Sequence, residues 1–353
     1  MKRALTTILA VLLIATACSA HKSPAASKSS APAPPAIAPL TGLVVPHGSA
    51  FLTRAALAVK IENTPDARPQ SGLDNADIVV EEQVEGGITR FIAIFQSRDA
   101  RVVGPVRSAR PEDPDLLRQY GAILAFSGGA QYVIDHIRHT PNIVMLGPDQ
   151  AGSAFYRVAY RAAPHNLYSS TQALYRAVRN KETKPPTPPF KFSSVVPTPM
   201  PSPVPTASPT ATPNPAPVVK SGRTLSVDFS TATYRATWRW SRLAHAYMRF
   251  EGSVPHRVAS GKQLSAQNVL VVYVTTYQST HVDAAGHTTP IARVYGSGKV
   301  ILFRNGVQIL GTWTRRTLND PMTFSTTTGT PLLFAPGVTW VELTPIGVKV
   351  SSS

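Results

Sequence analysis

Hydrophobic and polar residues partly alternate along residues 77–85, near the start of the folded part of the chain. Gly86 and Gly87 follow and can supply a two-residue hairpin turn, after which residues 88–97 return as a second strand. This pattern predicts a β-hairpin. With a turn at the two glycines, Arg90 would lie opposite Gln83.

The spacing of hydrophobic residues changes from that of a strand to that of a helix after residue 126. Residues 122–126 form a short apolar run, and the next apolar residues recur at helical spacing, so that Val133 and Ile137 share one face. Residues 143–146 then read as a strand, which predicts a β–α–β passage. A last helix of this region is expected to start at Ser170 or Thr171.

From residue 220 onward no run has helical spacing, and short apolar stretches alternate with turn signals. Asn305-Gly306 is a strong hairpin turn. The predicted strands are 224–229, 235–240, 246–250, 269–277, 300–303, 307–313 and 339–343. The sequence therefore predicts an α+β fold, with a mixed-sheet N-terminal domain carrying flanking helices and a β-rich C-terminal domain.

Four tryptophans fall in the β-rich region, and two uses are open for them. They can fill the core of the sheet, which is the expected use, or form a platform that stacks on sugars. They are Trp238, Trp240, Trp313 and Trp340.

Proline separates these regions. Of the 33 prolines in the chain, 18 lie in two segments with little to bury, and such segments are extended tethers rather than packed structure. The predicted organisation is a signal peptide (1–17), an Ala/Ser/Pro tether (18–39), an N-terminal domain (40–184), a proline-rich linker (185–219) and a C-terminal domain (220–353).

The N-terminus has the pattern of a bacterial export signal. Lys2 and Arg3 precede an apolar stretch, residues 5–14, that is too short to span a bilayer comfortably. Small residues then lead into Cys18, the only cysteine in the chain, as in a lipobox; an ordinary secretion site ending at Ala17 is the alternative. We expect a protein anchored outside the cytoplasm to the bacterial cell membrane by lipid at Cys18.

The net charge of +16 is unevenly distributed. Residues 40–185 carry 16 basic and 14 acidic residues, whereas residues 220–353 carry 14 and 5. Export argues against nucleic acid as a partner. A basic distal domain can bind an anionic membrane surface or an anionic wall polymer, or simply keep the protein soluble.

The N-terminal domain carries many polar residues on strand-like segments. Arg107 and Arg110 flank small residues that allow close backbone approach, and two guanidinium groups beside backbone N–H groups suit a phosphate, a pyrophosphate or a carboxylate. The predicted ligand-binding residues are Lys60, Glu62, Asn63, Arg90, Arg107, Arg110, His165 and Asn166.

Each of these assignments has a plainer alternative. In the predicted hairpin, Glu81 and Glu85 would be diagonal neighbours of Arg90 and would neutralise it as internal ion pairs. A lone loop histidine such as His165 often only bonds nearby backbone. His136 and His139 are expected on a solvated helix face, and we predict no metal site and no cofactor.

Several segments resemble the YerB-like bacterial lipoproteins. In the first domain they are residues 39–43 (PLTGL), 59–95, 103–110 (VGPVRSAR) and 163–168 (APHNLY); in the second they are residues 267–269 (QNV), 311–313 (GTW) and 336–340 (PGVTW). The resemblance implies an exported two-domain body with an α+β first domain, a β-rich second domain and envelope anchoring. It supplies no reaction, since the function of that family is not established.

Two functions are compatible with these features. The first is a lipid-anchored envelope protein that binds an anionic ligand, such as a wall precursor or polymer, or scaffolds wall components. The alternative is an enzyme acting on phosphodiester or pyrophosphate-linked envelope substrates, with arginines stabilising the developing charge. In that case Glu81, Glu85 or His165 would transfer protons.

Overall fold

Strands dominate the part of the chain that the structure describes. A computed structural model of the protein describes residues 35–197, 217–230, 234–282 and 286–353. The predicted signal peptide, Cys18 and the predicted linker residues 198–216 lie outside these ranges. We call residues 35–197 the N-terminal segment and residues 217–353 the C-terminal segment.

The N-terminal segment contains all four α-helices of the described residues. They are α1 (Glu112–Leu117), α2 (Gln131–His139), α3 (Pro148–Ala151) and α4 (Thr171–Ala177). Short 3₁₀ turns occupy Ala50–Thr53, Pro65–Ala67, Leu73–Asn75, Glu85–Gly87, Arg118–Tyr120 and Gly152–Ala154. Its strands are β1 (Ala36–Ile37), β2 (Val44–Val45), β3 (Leu57–Glu62), β4 (Ile78–Gln83), β5 (Thr89–Phe95), β6 (Ile123–Ala125), β7 (Val144–Leu146), β8 (Phe155–Arg157), β9 (Leu167–Ser169) and β10 (Lys191–Phe192).

The C-terminal segment consists of strands and turns in its described residues. The strands are β11 (Val219–Ser221), β12 (Thr224–Asp228), β13 (Arg235–Ser241), β14 (Ala246–Glu251), β15 (Val254–Pro255), β16 (Ser265–Ala266), β17 (Asn268–Val274), β18 (Thr276–Val282), β19 (Thr288–Ala292), β20 (Gly296–Arg304), β21 (Val307–Arg315), β22 (Thr323–Thr326), β23 (Leu333–Phe334), β24 (Thr339–Pro345) and β25 (Lys349–Ser352). The predicted α+β fold is confirmed, with far more strand than helix.

One long mixed sheet runs through both segments. Its strand order is β11-β21-β20-β17-β24-β4-β5-β3-β6-β7, with β22 paired to β21. Strand β24 lies parallel to β17 on one side and to β4 on the other. The two segments therefore share backbone hydrogen bonds in the middle of the sheet.

Each face of this sheet is covered by other elements. A second sheet, ordered β15-β14-β13-β12-β25 with β16 beside β14, buries Leu225, Val227 and Trp238 in the same core as Val59 and Phe91 of the long sheet. The opposite face forms a second core with Leu116 and Leu117 of α1 and Val133 and Ile137 of α2. The site described below lies on this second face.

Most of the tryptophans serve the core. Trp238, Trp313 and Trp340 are at most 2% exposed, so the core assignment is confirmed for them. Trp240 is half-buried and lies against Tyr247, with ring centroids 5.1 Å apart.

The described ends of the two proline-rich segments have regular structure. Phe190 stacks on Phe334 with ring centroids 4.2 Å apart, and β10 pairs in parallel with β23. Strand β11 joins the long sheet beside β21, and β1 pairs with β2. No helix within the described ranges is long and apolar enough to cross a membrane.

Candidate anion site

Three charged residues lie side by side where β3, β5 and β4 meet. Arg90 on β5 pairs with Glu62 on β3 and with Glu82 on β4. Because side chains alternate along a strand, all three project from the helix-covered face of the sheet, as Lys60 does two residues before Glu62. Arg90 is 5% exposed, so its guanidinium group is almost entirely withdrawn from water.

This register differs by one residue from the predicted one. The turn between β4 and β5 is a three-residue 3₁₀ turn, Glu85–Gly87, rather than a two-residue turn at the glycines. Arg90 therefore faces Glu82 and not Gln83. A one-residue shift moves a side chain to the other face of a sheet, so the predicted pairing of Arg90 with Glu81 was wrong.

The loop 104–110 brings the other two arginines to the same place. It runs antiparallel to the end of β3, where the Arg107 amide donates to the Lys60 carbonyl oxygen over 2.9 Å. Nη1 of Arg90 and Nη1 of Arg110 both donate to the Ser108 carbonyl oxygen, at 2.9 and 3.4 Å. The two guanidinium groups thus meet at one acceptor.

Two glutamates hold the outer arginines. Nε of Arg107 lies 3.3 Å from Oε1 of Glu62, and Nε of Arg110 donates to Oε2 of Glu85 over 2.9 Å. Thr289, on β19 of the C-terminal segment, donates to the other oxygen of Glu85 over 2.6 Å. Both segments therefore contribute to the site.

His165 completes the cluster. Its Nδ1 lies 3.0 Å from Oε2 of Glu62, so that one carboxylate lies between His165 and Arg107. The side chains of His165 and Arg107 are 22% and 20% exposed, and they form the solvent-facing edge of the cluster. We call Glu62, Glu85, Arg90, Arg107, Arg110 and His165 the arginine cluster.

Positive charge exceeds negative charge in the arginine cluster, because three guanidinium groups face the two carboxylates of Glu62 and Glu85. Glu82 lies opposite Arg90 as well, but burial and the charge of Asp113 raise its pKa to about 8, so that it holds a proton at neutral pH. Burial, together with the charges of Arg110 and Arg107, lowers the pKa of Arg90 to about 9. Nε of Arg90 is buried and has no hydrogen-bond partner among the described residues. Burial also opposes ionisation of Glu85, but Arg110 and the Thr289 hydroxyl outweigh it and lower the pKa of Glu85. The cluster as a whole thus favours an additional anion.

Four of the predicted site residues lie elsewhere or are enclosed. Asn63 is fully buried and donates to Thr89 over 2.7 Å, and Glu81 is fully buried on the opposite face of the sheet. Lys60 is fully buried between Glu82 and Asp113. A ligand approaching from solvent does not reach these three side chains.

Asn166 is the fourth of these residues. It is half-buried, and its side-chain oxygen accepts a hydrogen bond from Nη1 of Arg157 over 2.6 Å. It lies beside His165 in the chain and engages a different arginine from those in the cluster.

Lys60 nevertheless positions the cluster. Its ammonium group is 2.7 Å from Oδ1 of Asp113, and Oδ2 of Asp113 accepts the backbone N–H of Arg110 over 2.8 Å. Glu112 is buried beside this group. Lys60 therefore fixes the start of α1, and with it the arginine loop, to the sheet.

A second buried charge cluster was not predicted. Arg249 on β14 is fully buried, and its Nη2 lies 2.8 Å from both Glu81 and Glu251, while its Nη1 lies 3.3 Å from Glu342. Burial opposes its charge, yet these three carboxylates outweigh burial and raise the pKa of Arg249. The local sequence gives no signal for this cluster, because Arg249 reads as an ordinary outward residue of an alternating strand.

Aromatic rings enclose the same guanidinium group. Its Cζ lies 4.8 Å from the ring centroid of Trp340, 5.3 Å from that of Trp238 and 5.5 Å from that of Phe91. Phe91 comes from the N-terminal segment and the two tryptophans from the C-terminal segment. Arg249 therefore joins the two segments through the core and is closed to ligands.

The exposed edge of the arginine cluster is suited to holding an anion and to moving a proton through His165. Burial in the Arg249 cluster removes Glu81 from any reaction there, and the lowered pKa of Glu85 keeps that carboxyl ionised. Within the described ranges no group of three or more His, Cys, Asp and Glu residues could hold a metal ion.

Comparisons with known proteins identify the family to which the chain belongs. Residues 40–184 match the N-terminal domain, and residues 225–341 the C-terminal domain, of a family described as "Protein of unknown function (DUF3048)". The chain is 31% identical over 315 residues to a protein of Bacillus subtilis (strain 168) named "Putative lipoprotein YerB", covering 87% of this chain and 86% of that protein.

A solved structure is also similar. The crystal structure of YerB from Bacillus subtilis superposes with a TM-score of 0.72 at 28% identity, covering 90% of this chain and all of that one. The resemblance seen in the sequence motifs is thereby confirmed, and the chain belongs to the DUF3048 family of YerB-like proteins.

Proposed function

We propose that this chain is a lipid-anchored, extracytoplasmic protein that binds an anionic component of the bacterial cell envelope, a wall precursor or polymer, at the arginine cluster. The observation that carries the proposal is the charge imbalance of the cluster. Arg90, Arg107 and Arg110 face the carboxylates of Glu62 and Glu85, while the neighbouring Glu82 holds a proton at neutral pH because burial and the charge of Asp113 raise its pKa to about 8. An unpaired buried positive charge such as that of Arg90 is costly. A phosphate or carboxylate at the exposed edge would offset it.

The edge presents suitable groups for such a ligand. Within the described residues, Arg107 makes one ion pair, through Nε, which leaves its two terminal nitrogens as donors. His165 adds its second ring nitrogen, Nε2, which lies 3.9 Å from the exposed carboxylate of Asp66. A guanidinium group binds phosphate and carboxylate in a bidentate manner, so Arg107 is the residue expected to touch the ligand first.

The test measures binding by calorimetry, using the chain from residue 19 without lipid. Inorganic pyrophosphate and a purified phosphate-bearing wall polymer are the probes. We expect Arg107→Ala to weaken binding about tenfold or more, because a charge-assisted hydrogen bond is lost. Arg101→Ala removes an exposed arginine outside the cluster and serves as the matched control. Equal affinities for wild type and Arg107→Ala, or no binding of either probe, would refute the proposal.

The enzyme alternative rests on the contact between His165 and Glu62, which is the arrangement of a histidine oriented by a carboxylate. The same preparation distinguishes the two functions. Release of phosphate from a pyrophosphate-linked substrate that His165→Gln abolishes would favour the enzyme. Tight binding with no turnover would favour the binding protein.

The anchor is tested separately. If Cys18 carries lipid, the full-length protein is expected in the membrane fraction of the producing bacterium, and Cys18→Ala should move it out of that fraction or leave it as uncleaved precursor. Fractionation followed by mass spectrometry of the N-terminal peptide measures this. A Cys18→Ala protein that stays processed and membrane-bound would contradict the assignment.

A further inference from the structure

A second surface depression lies mainly on the C-terminal segment, is bordered at one end by α1 and α2 of the N-terminal segment, and shares no residue with the arginine cluster. Its smaller part, of about 260 Å³, lies between helices α1 and α2 and the β18–β19 ribbon, with Asp115, His136 and Tyr277 among its lining residues. Its larger part, of about 1040 Å³, lies at the ends of β17, β20 and β21. Arg293 and Tyr295 line both parts, so the two parts adjoin at these residues.

We call this depression the tyrosine groove, after Tyr273, Tyr277 and Tyr295. Tyr277 on β18 is 56% exposed and Tyr295, just before β20, is 41% exposed, which is high for aromatic side chains. The guanidinium carbon of Arg293 lies 4.5 Å from the centroid of the Tyr295 ring. This contact holds a charged group and a ring face together at the middle of the groove.

Positive charge in the tyrosine groove is unpaired. Arg293 and Lys299 are exposed, and within the described residues neither makes an ion pair or a side-chain hydrogen bond. In the arginine cluster, by contrast, Arg107 and Arg110 each contact a glutamate. Arg293 and Lys299 therefore attract anionic groups to the larger part of the groove, which both of them line.

The smaller part of the groove offers polar groups of another kind. Nε2 of His136 lies 3.2 Å from Oδ2 of Asp115, and Oδ1 of Asp115 is buried without a hydrogen-bond partner among the described residues. A carboxylate oxygen and a ring nitrogen held this way suit hydroxyl groups, which both donate and accept.

The larger part has a backbone floor. Gly298 on β20 lies directly over Trp313, and a β-carbon at this position would collide with the indole ring and with the Tyr273 carbonyl oxygen. The indole N–H donates to that same carbonyl oxygen over 2.8 Å. The glycine thus gives the Trp313 indole room to pack against the strand at the base of the larger part.

We infer that the tyrosine groove binds an extended glycan that carries carboxylate groups. Exposed tyrosine rings stack on the flat faces of sugar rings, Asp115 and His136 accept and donate to hydroxyls, and Arg293 and Lys299 pair with carboxylates. The larger part alone matches the upper end of the volumes of small-molecule pockets, which suits several linked rings. This goes beyond the proposed anion site, because ring faces rather than phosphate charge provide recognition.

The test compares two hexasaccharides in titrations of the chain from residue 19. One is the neutral N-acetylglucosamine hexamer, and the other alternates N-acetylglucosamine with glucuronate. We expect the carboxylate-bearing hexamer to bind about tenfold more tightly at low salt, and Arg293→Gln to abolish that preference. Tyr277→Ala should weaken both hexamers about tenfold, whereas Tyr277→Phe, which keeps the ring, should not.

Two controls separate this site from the arginine cluster. Tyr160→Ala removes a tyrosine that is 70% exposed outside the groove, and it should leave hexamer binding unchanged. Tyr277→Ala should leave pyrophosphate binding unchanged, and Arg107→Ala should leave hexamer binding unchanged. If pyrophosphate failed to bind, the proposal for the arginine cluster would be wrong but the inference about the tyrosine groove would not be affected. If the hexamers failed to bind, the inference about the groove would be wrong and the proposal for the arginine cluster would not be affected.

Three results would overturn the inference. They are no binding of either hexamer at millimolar concentration, hexamer binding that Tyr277→Ala does not weaken, and equal affinity for the neutral and the anionic hexamer at low salt. Sedimentation with phosphatidylglycerol vesicles that Tyr277→Ala abolishes, without hexamer binding, would instead assign the groove to a membrane surface.

Discussion

At the scale of single residues, the positions that determine the site are buried charges. Lys60 offers one ammonium group to Glu82 and Asp113, with Glu112 beside them. Burial and the neighbouring charge of Asp113 outweigh the attraction of Lys60 and raise the pKa of Glu82 to about 8. Burial and the charges of Glu82 and Asp113 raise the pKa of Glu112 as well. Protons therefore stabilise this part of the fold.

This has a measurable consequence for pH dependence. Between the ordinary carboxyl pKa of about 4.5 and the folded value of about 8, the folded state holds a proton on Glu82 that the unfolded state has released. The stabilisation that this proton on Glu82 provides is fully present below pH 4.5 and is lost as the pH rises to 8. In wild type this loss amounts to up to about 1.4 kcal/mol of unfolding free energy per pH unit, and we expect Glu82→Gln to abolish it. Urea titrations at several pH values between 5 and 7.5 measure the difference.

The comparison must be between variants, because other buried groups titrate too. Burial lowers the pKa of His256, which changes stability in the opposite direction over part of this range and does so in every variant. Glu182→Gln is the matched control, since the Glu182 side chain is 89% exposed. If Glu82→Gln kept the pH slope of wild type, the assignment of a proton to Glu82 would be wrong.

The sequence indicated these residues unevenly. The small residues around Arg107 and Arg110 singled out the arginine loop, and the structure brings both to Arg90. Arg249 and Glu342 could not be found this way, because each meets its partners only through pairing between distant strands. Lys60 was predicted to be a ligand-binding residue, but only the position of Asp113 in α1 shows that its side chain is enclosed.

At the scale of elements, local signals predicted local structure. The β–α–β passage from β6 through α2 to β7 is confirmed as a parallel pair. Asn305 and Gly306 both have positive φ, at 52° and 78°, and join β20 to β21 as predicted. Ser170 caps α4 by accepting the Ala173 amide. In each case the residues that determine the element lie within it.

The β4–β5 hairpin shows where local signals fail. Two glycines are compatible with a two-residue turn, but Glu85 joins them in a 3₁₀ turn and shifts the register by one. The side chain of Glu85 is held by Arg110 and by Thr289 from the other segment. The contacts that accompany this register come from residues far away in the chain, so the glycine pair alone could not specify it.

At the scale of the whole molecule, the two family domains form one folded body. Strand β24 supplies a parallel neighbour to β4, and Glu342 on β24 lies opposite Glu81 in the register. Arg249 contacts both carboxyl groups inside the core, where burial raises the pKa of each. Thr289 also reaches across to Glu85 at the arginine cluster. The C-terminal segment therefore contributes to the core of the N-terminal segment and supports its arginine cluster.

This organisation predicts how the protein behaves when it is divided. Residues 35–197 alone would expose Val59 and Phe91, which the second sheet of the C-terminal segment covers, and burying each such side chain contributes about 1.5–3 kcal/mol. That is a large part of the stability of about 5–15 kcal/mol typical of a domain, before the loss of β24 is counted. We expect residues 35–197 and residues 217–353 to be unfolded or insoluble when made separately, and to form a soluble one-to-one complex when made together.

Co-purification through a tag on one half, followed by thermal unfolding monitored by circular dichroism, measures this. The full chain cut at a protease site inserted between residues 198 and 216 is the control, and it should unfold in a single transition with both halves attached. The pyrophosphate probe should bind the reassembled complex and not the N-terminal half. An isolated N-terminal half that unfolds cooperatively near the melting temperature of the full chain would show that β24 and Arg249 are dispensable to it, and the anion site would then belong to that half alone.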